Sequence, residues 1–376
     1  MTPYLIVGFA AFVITYVTTP LVIWGAKKLG AIDHPNDRKV HATPTPTLGG
    51  IAIFLAVIGA LGLASFMSDF DGVFRQSSYV LGVVAGAVVI FALGAVDDLR
   101  DLPAPVKLAG QVFASGILFL AGVKMQFVIV PGGNTLITFG DDVSVLVTVI
   151  WLVVMINAVN LIDGLDGLAA GIVAIAAAAF FVYTYQVSAS GGLPIASAAP
   201  APLIAITLVG ATLAFLRYNF HPAKIFMGDS GSMMLGLVLG GATILGTSTF
   251  TSPIAITDSN AATFVAYFPL IIPLLVLAIP VLDAAFAIVR RARRRRSVFH
   301  ADKEHIHHRL MDLGHGHRKA VVAMYLWSAL AAGAGLAFTF LDRAEIVFAL
   351  PIAVGAIVLY TLFPILTKAA QNRLHP

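Results

Sequence analysis

Long apolar runs, separated by short polar segments, follow one another along this chain from end to end. Most of them reach the ~20 residues that a helix needs to cross the hydrocarbon core of a bilayer. The candidate spans lie near 3–25, 48–67, 79–96, 106–124, 143–160, 167–187, 201–217, 230–248, 264–290, 319–340 and 345–366. The pattern predicts an all-α polytopic membrane protein of about eleven transmembrane helices, with a single integral membrane domain over residues 1–376.

A segment between the fourth and fifth runs breaks this pattern. Residues 125–140 contain Val-Ile-Val and Leu-Ile-Thr-Phe on either side of Pro-Gly-Gly-Asn. Two short β-prone stretches around a glycine-containing turn are typical of a hairpin, and neither stretch is long enough to cross a bilayer. We therefore expect a short extracytoplasmic hairpin at this position.

The composition agrees with a membrane protein. Of the 376 residues, 59% are hydrophobic and 11% are charged, whereas about 25% of the residues of a soluble domain are charged. The chain has no cysteine, which excludes disulfides, thiolate zinc sites and a thiol nucleophile. The first apolar run lacks a basic preceding region and is too long for a signal-peptide core, so we expect it to be retained as a span.

The basic residues indicate the orientation, because lysine and arginine collect on the cytoplasmic side of membrane proteins. When the connections between spans are assigned alternately to two faces, Arg75, Lys124 and Arg343 fall on one face and the rest of the 23 lysines and arginines on the other. The predicted topology has the N-terminus outside and the C-terminus in the cytoplasm. The expected location of the protein is the inner (cytoplasmic) membrane. Most acidic residues and histidines lie on the same cytoplasmic face, where we expect the function.

The most polar of the cytoplasmic segments is N-A-V-N-L-I-D-G-L-D-G at residues 157–167. A carboxylate at the centre of a spanning helix costs about 2.5–3.5 kcal/mol, so such groups indicate a role at the membrane surface. The segment does not match a calcium-binding EF-hand loop. Asp166 could cap the next helix, but this leaves Asn157, Asn160 and Asp163 unexplained. Asn157 and Asn160 are one helical turn apart and are expected to point the same way.

Two adjacent carboxylates, Asp97 and Asp98, end the third span. They repel each other, and they also face the partial negative charge of a helix C-terminus. Since this position is unfavourable for stability, the pair indicates function. Lys107 begins the next span and is expected to face both carboxylates.

A glycine-rich segment, F-M-G-D-S-G-S at residues 226–232, opens the eighth span. Asp229 lies at the helix N-terminus, and the flanking glycines allow a ligand to approach the backbone closely. A simple N-cap with a serine-rich first turn is the alternative interpretation. Phe226 is either a surface anchor or a platform on which a base can stack.

Two basic loops complete the cytoplasmic set. After the first span, Arg38, Lys39 and His41 either form a solvated loop or contact an anion. The loop of residues 290–318 begins with an arginine-rich run that suits anionic lipid. It continues with His305, His307, His308 and Arg309. Zinc is an alternative for this histidine cluster, but no Cys or Glu stands at a familiar zinc spacing, so phosphate binding is favoured.

Together these segments combine hard oxygen ligands with basic groups at a membrane surface. Carboxylates and amides suit Mg²⁺ or Mn²⁺, which proteins commonly hold through one or two carboxylates together with substrate phosphates. The basic groups suit a diphosphate, and the spanning helices suit an amphiphile. The pattern indicates phosphoryl transfer between a soluble nucleotide and a membrane-bound acceptor.

The motifs D-x-P-N-x-R-K-x-H, V-D-D-L-R-D, N-x-x-N-L-I-D-G-L-D-G-L, F-M-G-D-S-G-S and H-I-H-H-R follow in this order between about residues 33 and 310. In this combination the chain resembles the polyprenyl-phosphate N-acetylhexosamine-1-phosphate transferases, a superfamily that includes the enzyme that makes lipid I of peptidoglycan. The H-I-H-H-R loop is similar to that of the UDP-GlcNAc-using branch, and eleven spans also fit that branch.

The resemblance implies roles for single residues. Asp229 resembles the principal metal ligand, and Asn160 a further metal or diphosphate contact. Asp163 and Asp166 would face the nucleotide, with Asp166 nearest the uracil and Phe226 stacked on it.

The remaining motif residues would contact phosphates or the sugar. Lys107 and the residues of H-I-H-H-R would hold the phosphates and the sugar, while Asp97 and Asp98 would lie beside the attacking lipid phosphate. Substrate contacts are also expected from Asn157, Arg38, Lys39 and His41.

The resemblance further implies the reaction. GlcNAc-1-phosphate would pass from UDP-GlcNAc to a polyprenyl phosphate, giving polyprenyl-diphospho-GlcNAc and UMP in the first membrane step of a cell-envelope glycan pathway. The expected partners are the nucleotide sugar, the lipid and the membrane. No nucleic acid is expected, and the sequence is compatible with a homodimer.

Two other functions stay open at this point. One is lipid I synthesis from UDP-MurNAc-pentapeptide, and the other is secondary transport. Transporters place binding groups near the bilayer midplane, often in inverted repeats, whereas here the acids gather on one face and no repeat is evident. Direct displacement by the acceptor phosphate and a covalent aspartyl-phosphate route also both stay open.

Overall fold

The computed structural model describes residues 1–35, 43–75, 78–129, 136–190, 199–248, 270–278, 316–341 and 343–374 of the chain. The described part is mostly helical. Its helices are α1 (Thr2–Leu29), α2 (Gly50–Ala64), α3 (Asp71–Arg75), α4 (Tyr79–Arg100), α5 (Ala104–Leu120), α6 (Asp141–Ile162), α7 (Leu168–Ser190), α8 (Pro200–Asn219), α9 (Gly228–Ser248), α10 (His317–Phe340) and α11 (Arg343–Leu374), with a 3-10 turn at Ser68–Phe70. Residues 270–278 are also helical.

Eight of the described helices are long and apolar enough to cross a membrane. A ninth span results if α2 is joined to the following short helices, which are bent by 93° against it. Every predicted span except the one near 264–290 coincides with a described helix, and most of that one lies outside the described residues. The chain is therefore a multi-pass membrane protein, while the count of eleven spans and the orientation stay predictions.

The central element of the described bundle is α9. Every residue from Ser230 to Thr247 is buried, and the helix packs against α2, α4, α6 and α8. Glycines allow the backbones to approach closely: a Cβ at Gly94 of α4 would lie 2.5 Å from the main chain of Ser230, and one at Gly50 of α2 would lie 2.3 Å from the nitrogen of Gly231. Small residues at such crossings are the usual device for packing helices in membranes.

The predicted hairpin is confirmed as a structure. Strand β3 (Phe127–Ile129) pairs antiparallel with β4 (Leu136–Thr138), with Val128 opposite Ile137. The side of the membrane on which the hairpin lies stays a prediction.

A second short pair of strands follows α1 and lies next to the segment that precedes α9. Strand β1 (Ile32–Asp33) pairs antiparallel with β2 (Thr45–Pro46). The N–H of Phe226 donates to the carbonyl of Pro46 (2.8 Å), and the N–H groups of Gly49 and Gly50 donate to the carbonyls of Phe226 and Met227. These bonds fix the segment just before α9 against the start of α2, and so hold the N-terminus of α9 in place.

Candidate active site

A cavity of about 700 Å³ opens where helix ends gather at one end of the bundle. The C-terminal ends of α1, α4, α6 and α8 meet there with the N-terminal ends of α5, α9 and α10. Of its lining residues in the described part of the chain, seven are aspartates, joined by Lys107 and His317. The aspartates are Asp33, Asp97, Asp98, Asp101, Asp163, Asp166 and Asp229.

Asp229 lies at the start of α9 and is contacted from two other helices. The ammonium of Lys107 on α5 donates to one carboxylate oxygen (3.0 Å), and the amide of Asn160 on α6 donates to the other (2.8 Å). Lys107 also forms an ion pair with Asp97 of α4, whose side chain is almost fully buried. Four helices therefore contribute to one polar cluster, as the motifs predicted.

Asp98 faces away from Lys107 and towards the N-terminus of α9. Its carboxylate accepts the backbone N–H groups of Asp229 (2.7 Å) and Ser230 (3.1 Å), and also the Ser230 hydroxyl (2.7 Å). A carboxylate at this place satisfies free N–H groups and complements the helix dipole. The expectation that Lys107 faces both aspartates is therefore wrong for Asp98, because neighbouring residues of a helix point about 100° apart.

Asn157 and Asn160 have different partners, although they lie one turn apart on α6. Asn160 reaches Asp229 and the Ser232 hydroxyl (3.0 Å). Asn157 instead donates to the side-chain oxygen of Gln111 on α5 (2.7 Å), and it is not among the described residues that line the cavity. The two amides thus lie on successive turns of one face of α6, with Asn157 one turn further from Asp229, and a substrate contact by Asn157 stays a prediction.

Asp163 lies just after the end of α6 and lines the cavity. Burial raises the pKa of its carboxyl well above the usual value, and the nearby carboxylates Asp229, Asp98 and Asp166 raise it further. The anionic form of Asp163 is thus disfavoured by burial and by the nearby negative charges. The direction of this shift fits a site that is completed by a cation.

Asp166 is 9% exposed and also lines the cavity. One of its oxygens lies 2.7 Å from Nδ1 of His221 and accepts the N–H of Ala223 (3.1 Å). These hydrogen bonds go to the α8–α9 connection, so the alternative of a cap for α7 does not account for the side chain. Phe226 is half-buried and lines the same cavity, but stacking on a base stays a prediction.

Sequence reasoning missed the surroundings of Asp166. His221 stacks on His317 with ring centroids 4.2 Å apart, and Nε of Arg318 donates to the His221 carbonyl (2.7 Å). His221 lies only five residues before Phe226 of the glycine-rich motif, and this proximity was the one available signal. Gln111 was missed as well, although it is a polar residue within an apolar run.

Seven predicted site residues lie outside the described residues. They are Arg38, Lys39, His41, His305, His307, His308 and Arg309. Their contacts with substrates stay predictions.

The donor set fits a hard divalent cation. Seven carboxylates surround one lysine ammonium and one imidazole among the described lining residues, which leaves a large excess of negative charge. Carboxylate and amide oxygens are the ligands that Mg²⁺ and Mn²⁺ prefer. Asp229 and Asn160 already touch each other, so a small ion could use both.

Comparison with known proteins gives a consistent family assignment. The sequence model of the protein family described as glycosyl transferase family 4 matches residues 80–247. This range spans α4 to α9 and includes most of the cavity aspartates. The decaprenyl-phosphate N-acetylglucosaminephosphotransferase of Mycolicibacterium smegmatis is 38% identical, over 99% of this chain and 91% of its own length.

More distant relatives have related names. The probable undecaprenyl-phosphate N-acetylglucosaminyl 1-phosphate transferase of Bacillus subtilis is 37% identical, over 84% of this chain and 80% of its own. The undecaprenyl-phosphate α-N-acetylglucosaminyl 1-phosphate transferase of Escherichia coli K12 is 26% identical, over 83% of this chain and 77% of its own length. On its motifs, its polar cluster and these similarities, the chain belongs to the family of polyprenyl-phosphate N-acetylglucosamine-phosphate transferases, within glycosyl transferase family 4.

Proposed function

We propose that this protein transfers GlcNAc-1-phosphate from UDP-GlcNAc to a polyprenyl phosphate, giving polyprenyl-diphospho-GlcNAc and UMP. The observation that carries the proposal is the contact of Asp229 with both Lys107 and Asn160 at an acidic cavity among membrane-spanning helices. The names of the relatives support the same donor and class of acceptor. They also favour GlcNAc over the UDP-MurNAc-pentapeptide that lipid I synthesis requires.

Asp229 and Asn160 are the residues that would hold Mg²⁺ or Mn²⁺ in this proposal. The bound ion would neutralise the charge that develops on the diphosphate during phosphoryl transfer. Asn160 can contribute its amide oxygen, because its amide nitrogen is the atom that donates to Asp229 and Ser232.

Lys107 supplies a fixed positive charge to the same reaction. Its ammonium is held between the carboxylates of Asp97 and Asp229, so it needs little reorganisation when a phosphate oxygen arrives. A phosphate monoester has a second pKa near 6, and the acceptor is therefore largely dianionic at neutral pH. A strong general base is not required.

We favour direct displacement over a covalent aspartyl intermediate. The acceptor oxygen attacks the β-phosphorus of UDP-GlcNAc, the new P–O bond forms, and the bridging oxygen leaves with UMP. Asp98 is occupied by three donors from the start of α9, and Asp97 is paired with Lys107. Both aspartates are thus better placed to position other groups than to attack phosphorus.

The positions of the helix ends support the predicted topology. The cavity takes residues from the first turn of α9 and from the first turn of α10. Since α9 ends on the opposite side of the bundle, we propose that the chain crosses the membrane once more before α10 begins. This return supports the span predicted near 264–290, eleven spans and a C-terminus on the same side as the cavity, while the distribution of lysine and arginine supports a cytoplasmic position of that side.

The proposal is tested with purified protein in detergent, radiolabelled UDP-GlcNAc and undecaprenyl phosphate. We expect labelled lipid product and UMP release that both require the lipid and a divalent cation. Asp229→Asn serves as the inactive control. Equal or faster turnover of UDP-MurNAc-pentapeptide would replace the proposal with lipid I synthesis, and uptake into vesicles without lipid product would replace it with transport.

A further inference from the structure

The carboxylate of Asp166 is held by a histidine that the phosphoryl-transfer chemistry does not use. His221 presents Nδ1 to an oxygen of Asp166 at 2.7 Å. An ionised carboxylate can only accept, so the imidazole must carry its proton on Nδ1 and donate. The N–H of Ala223 donates to the same oxygen (3.1 Å). Two donors of the α8–α9 connection thus fix one side of Asp166.

His221 is itself braced by the start of α10. The ring of His317 lies against the His221 ring, at 4.2 Å between centroids and 20° between planes. Nε of Arg318 donates to the His221 carbonyl (2.7 Å). The imidazole therefore has little freedom to turn away from Asp166.

A metal ion is a poor explanation for this cluster. Asp166, His221 and His317 each offer a ligand atom, all within 4.8 Å of one another. However, the lone pair of an imidazole lies in the plane of its ring, and two nearly parallel stacked rings cannot both direct lone pairs at one ion. The arrangement instead suits a hydrogen bond that is protected on one face by a second ring.

The backbone beside Asp166 is fixed by other helices as well. The N–H of Gly167 donates to the side-chain oxygen of Asn219 at the end of α8 (3.0 Å), and the Gly167 carbonyl accepts the hydroxyl of Tyr325 from α10. Both the backbone and the side chain at this corner of the cavity are therefore immobilised by α8 and α10. Groups so preorganised lose little freedom on binding a ligand.

We propose that His221 is a positioning residue that orients Asp166 towards the nucleoside of the donor, with His317 and Arg318 securing it. The inference rests on the proposed function, in which Asp166 faces the nucleotide. None of the described contacts of His221 reaches Lys107, Asp97 or Asp229, which surround the reacting phosphates. His221 therefore acts on nucleotide affinity and leaves the chemical step nearly unchanged.

Two substitutions separate the hydrogen bond from the stacking. His221→Asn keeps an N–H donor close to the position of Nδ1 but loses the ring. His221→Phe keeps the ring against His317 but loses the donor. Tyr218→Phe is the matched control, because it removes one hydroxyl of the same region that bonds to the Tyr16 carbonyl (3.1 Å), and it does not line the cavity.

The readouts are UMP binding to the purified protein by calorimetry, and KM and kcat with UDP-GlcNAc. For His221→Phe we expect UMP affinity to fall by about tenfold, the size typical for loss of a hydrogen bond to a charged group. KM for UDP-GlcNAc should rise in parallel while kcat changes by less than about threefold. His221→Asn and Tyr218→Phe should keep UMP affinity close to that of the unmodified protein.

Arg318→Met tests the brace from an exposed position and keeps the inference falsifiable if His221→Phe fails to fold. We expect it to weaken UMP binding by about threefold, less than the direct loss of a donor. Unchanged UMP affinity in His221→Phe would overturn this inference, and if that variant does not fold, unchanged affinity in Arg318→Met would do so. If lipid transfer persists in these variants, the proposed function is not affected. Absence of both UMP binding and transfer in the unmodified protein would overturn the proposed function and this inference with it.

Discussion

The ammonium of Lys107 lies 3.0 Å from a carboxylate oxygen of Asp229, and the same ammonium is paired with Asp97. One cation thus links α5 to α4 and α9. Because the Asp97 side chain is 2% exposed, its charge depends on this partner. The arrangement predicts that Lys107 has a structural and a catalytic role that can be measured separately.

Replacing Lys107 with Met should therefore reduce both stability and turnover. Removal of one partner from a buried ion pair costs about 3–5 kcal/mol, here towards the lower end because Lys107 is partly exposed. The double variant Lys107→Met with Asp97→Asn should regain most of the thermal stability in detergent and none of the transfer activity. Recovery of activity in the double variant would contradict the assignment of Lys107 to the phosphates.

Asp98 provides a test of positioning against direct chemistry. Asn can still accept hydrogen bonds at a helix N-terminus, whereas Ala cannot, and losing such a cap costs about 0.5–2 kcal/mol. We expect Asp98→Asn to keep a measurable share of kcat and Asp98→Ala to lose much more. If Asp98 were a nucleophile or an essential base, both variants would be equally inactive, and steady-state kinetics distinguishes the two outcomes.

The amide pair of Gln111 and Asn157 joins α5 to α6 one turn below the active cluster. Gln111 is 3% exposed, and the Asn157 amide donates to it at 2.7 Å. Lys107 and Asn160, which both reach Asp229, lie one turn further along the same two helices. The pair therefore holds in register the two helices that bring these groups together.

Gln111→Leu removes this partner from the Asn157 amide, which keeps its bond to the Val153 carbonyl (2.8 Å), so we expect a cost of about 1 kcal/mol. We expect a lower melting temperature and a lower kcat with nearly unchanged KM for UDP-GlcNAc. The double variant Gln111→Leu with Asn157→Leu should be more stable than the single one, because apolar groups then replace both partners. A KM effect that exceeds the kcat effect would instead indicate that Asn157 touches the substrate.

Much of this architecture could be predicted from the chain because it depends on simple patterns. Apolar length is enough to predict spans such as α4 and α6, and the turn sequence within 125–140 is enough to predict the hairpin. The gathering of polar segments at one face also followed from the pattern, whereas the shared site of Asp229 and Asn160 was implied by the family resemblance. These features require no knowledge of side-chain direction.

The sequence was a poor guide to which neighbouring helix a given side chain faces. Asp97 and Asp98 are adjacent in sequence, yet one faces Lys107 and the other caps α9. Asn157 and Asn160 lie one turn apart on one face of α6, yet Asn157 meets Gln111 of α5 and only Asn160 reaches Asp229. The partnership of His221 with Asp166 spans 55 positions and carries no charge pattern or spacing that a single sequence reveals.

The close approach of α4 to α9 leads to a prediction about Gly94. A Cβ at this position would lie 2.5 Å from the backbone of Ser230, closer than packed atoms allow. Gly94→Ala should push the two helices apart, weaken the bonds from the start of α9 to Asp98 and reduce kcat by at least tenfold, or about 1.4 kcal/mol in barrier height. Gly62→Ala is the control, since a Cβ there meets nothing within 4 Å. Equal activity and melting temperature of the two variants would contradict the packing argument.

Asp163 leads to a prediction about pH, measured without divalent cations. Its pKa is raised in the folded protein by burial and by Asp229, Asp98 and Asp166, whereas the unfolded chain has a carboxyl pKa of about 3.9. The folded state therefore binds the proton more tightly, and the stability linked to this group falls as the pH rises from about 4 through the folded pKa.

Asp163→Asn removes that loss of stability. The variant should therefore melt at a higher temperature than the unmodified protein near neutral pH, and the difference in melting temperature should shrink towards pH ~4. Added Mg²⁺ should also shrink it, because a bound cation compensates the same charges. A variant that melts at a lower temperature near neutral pH in the absence of cations would show that the Asp163 carboxylate is stabilised by a partner and is not destabilised by its neighbours.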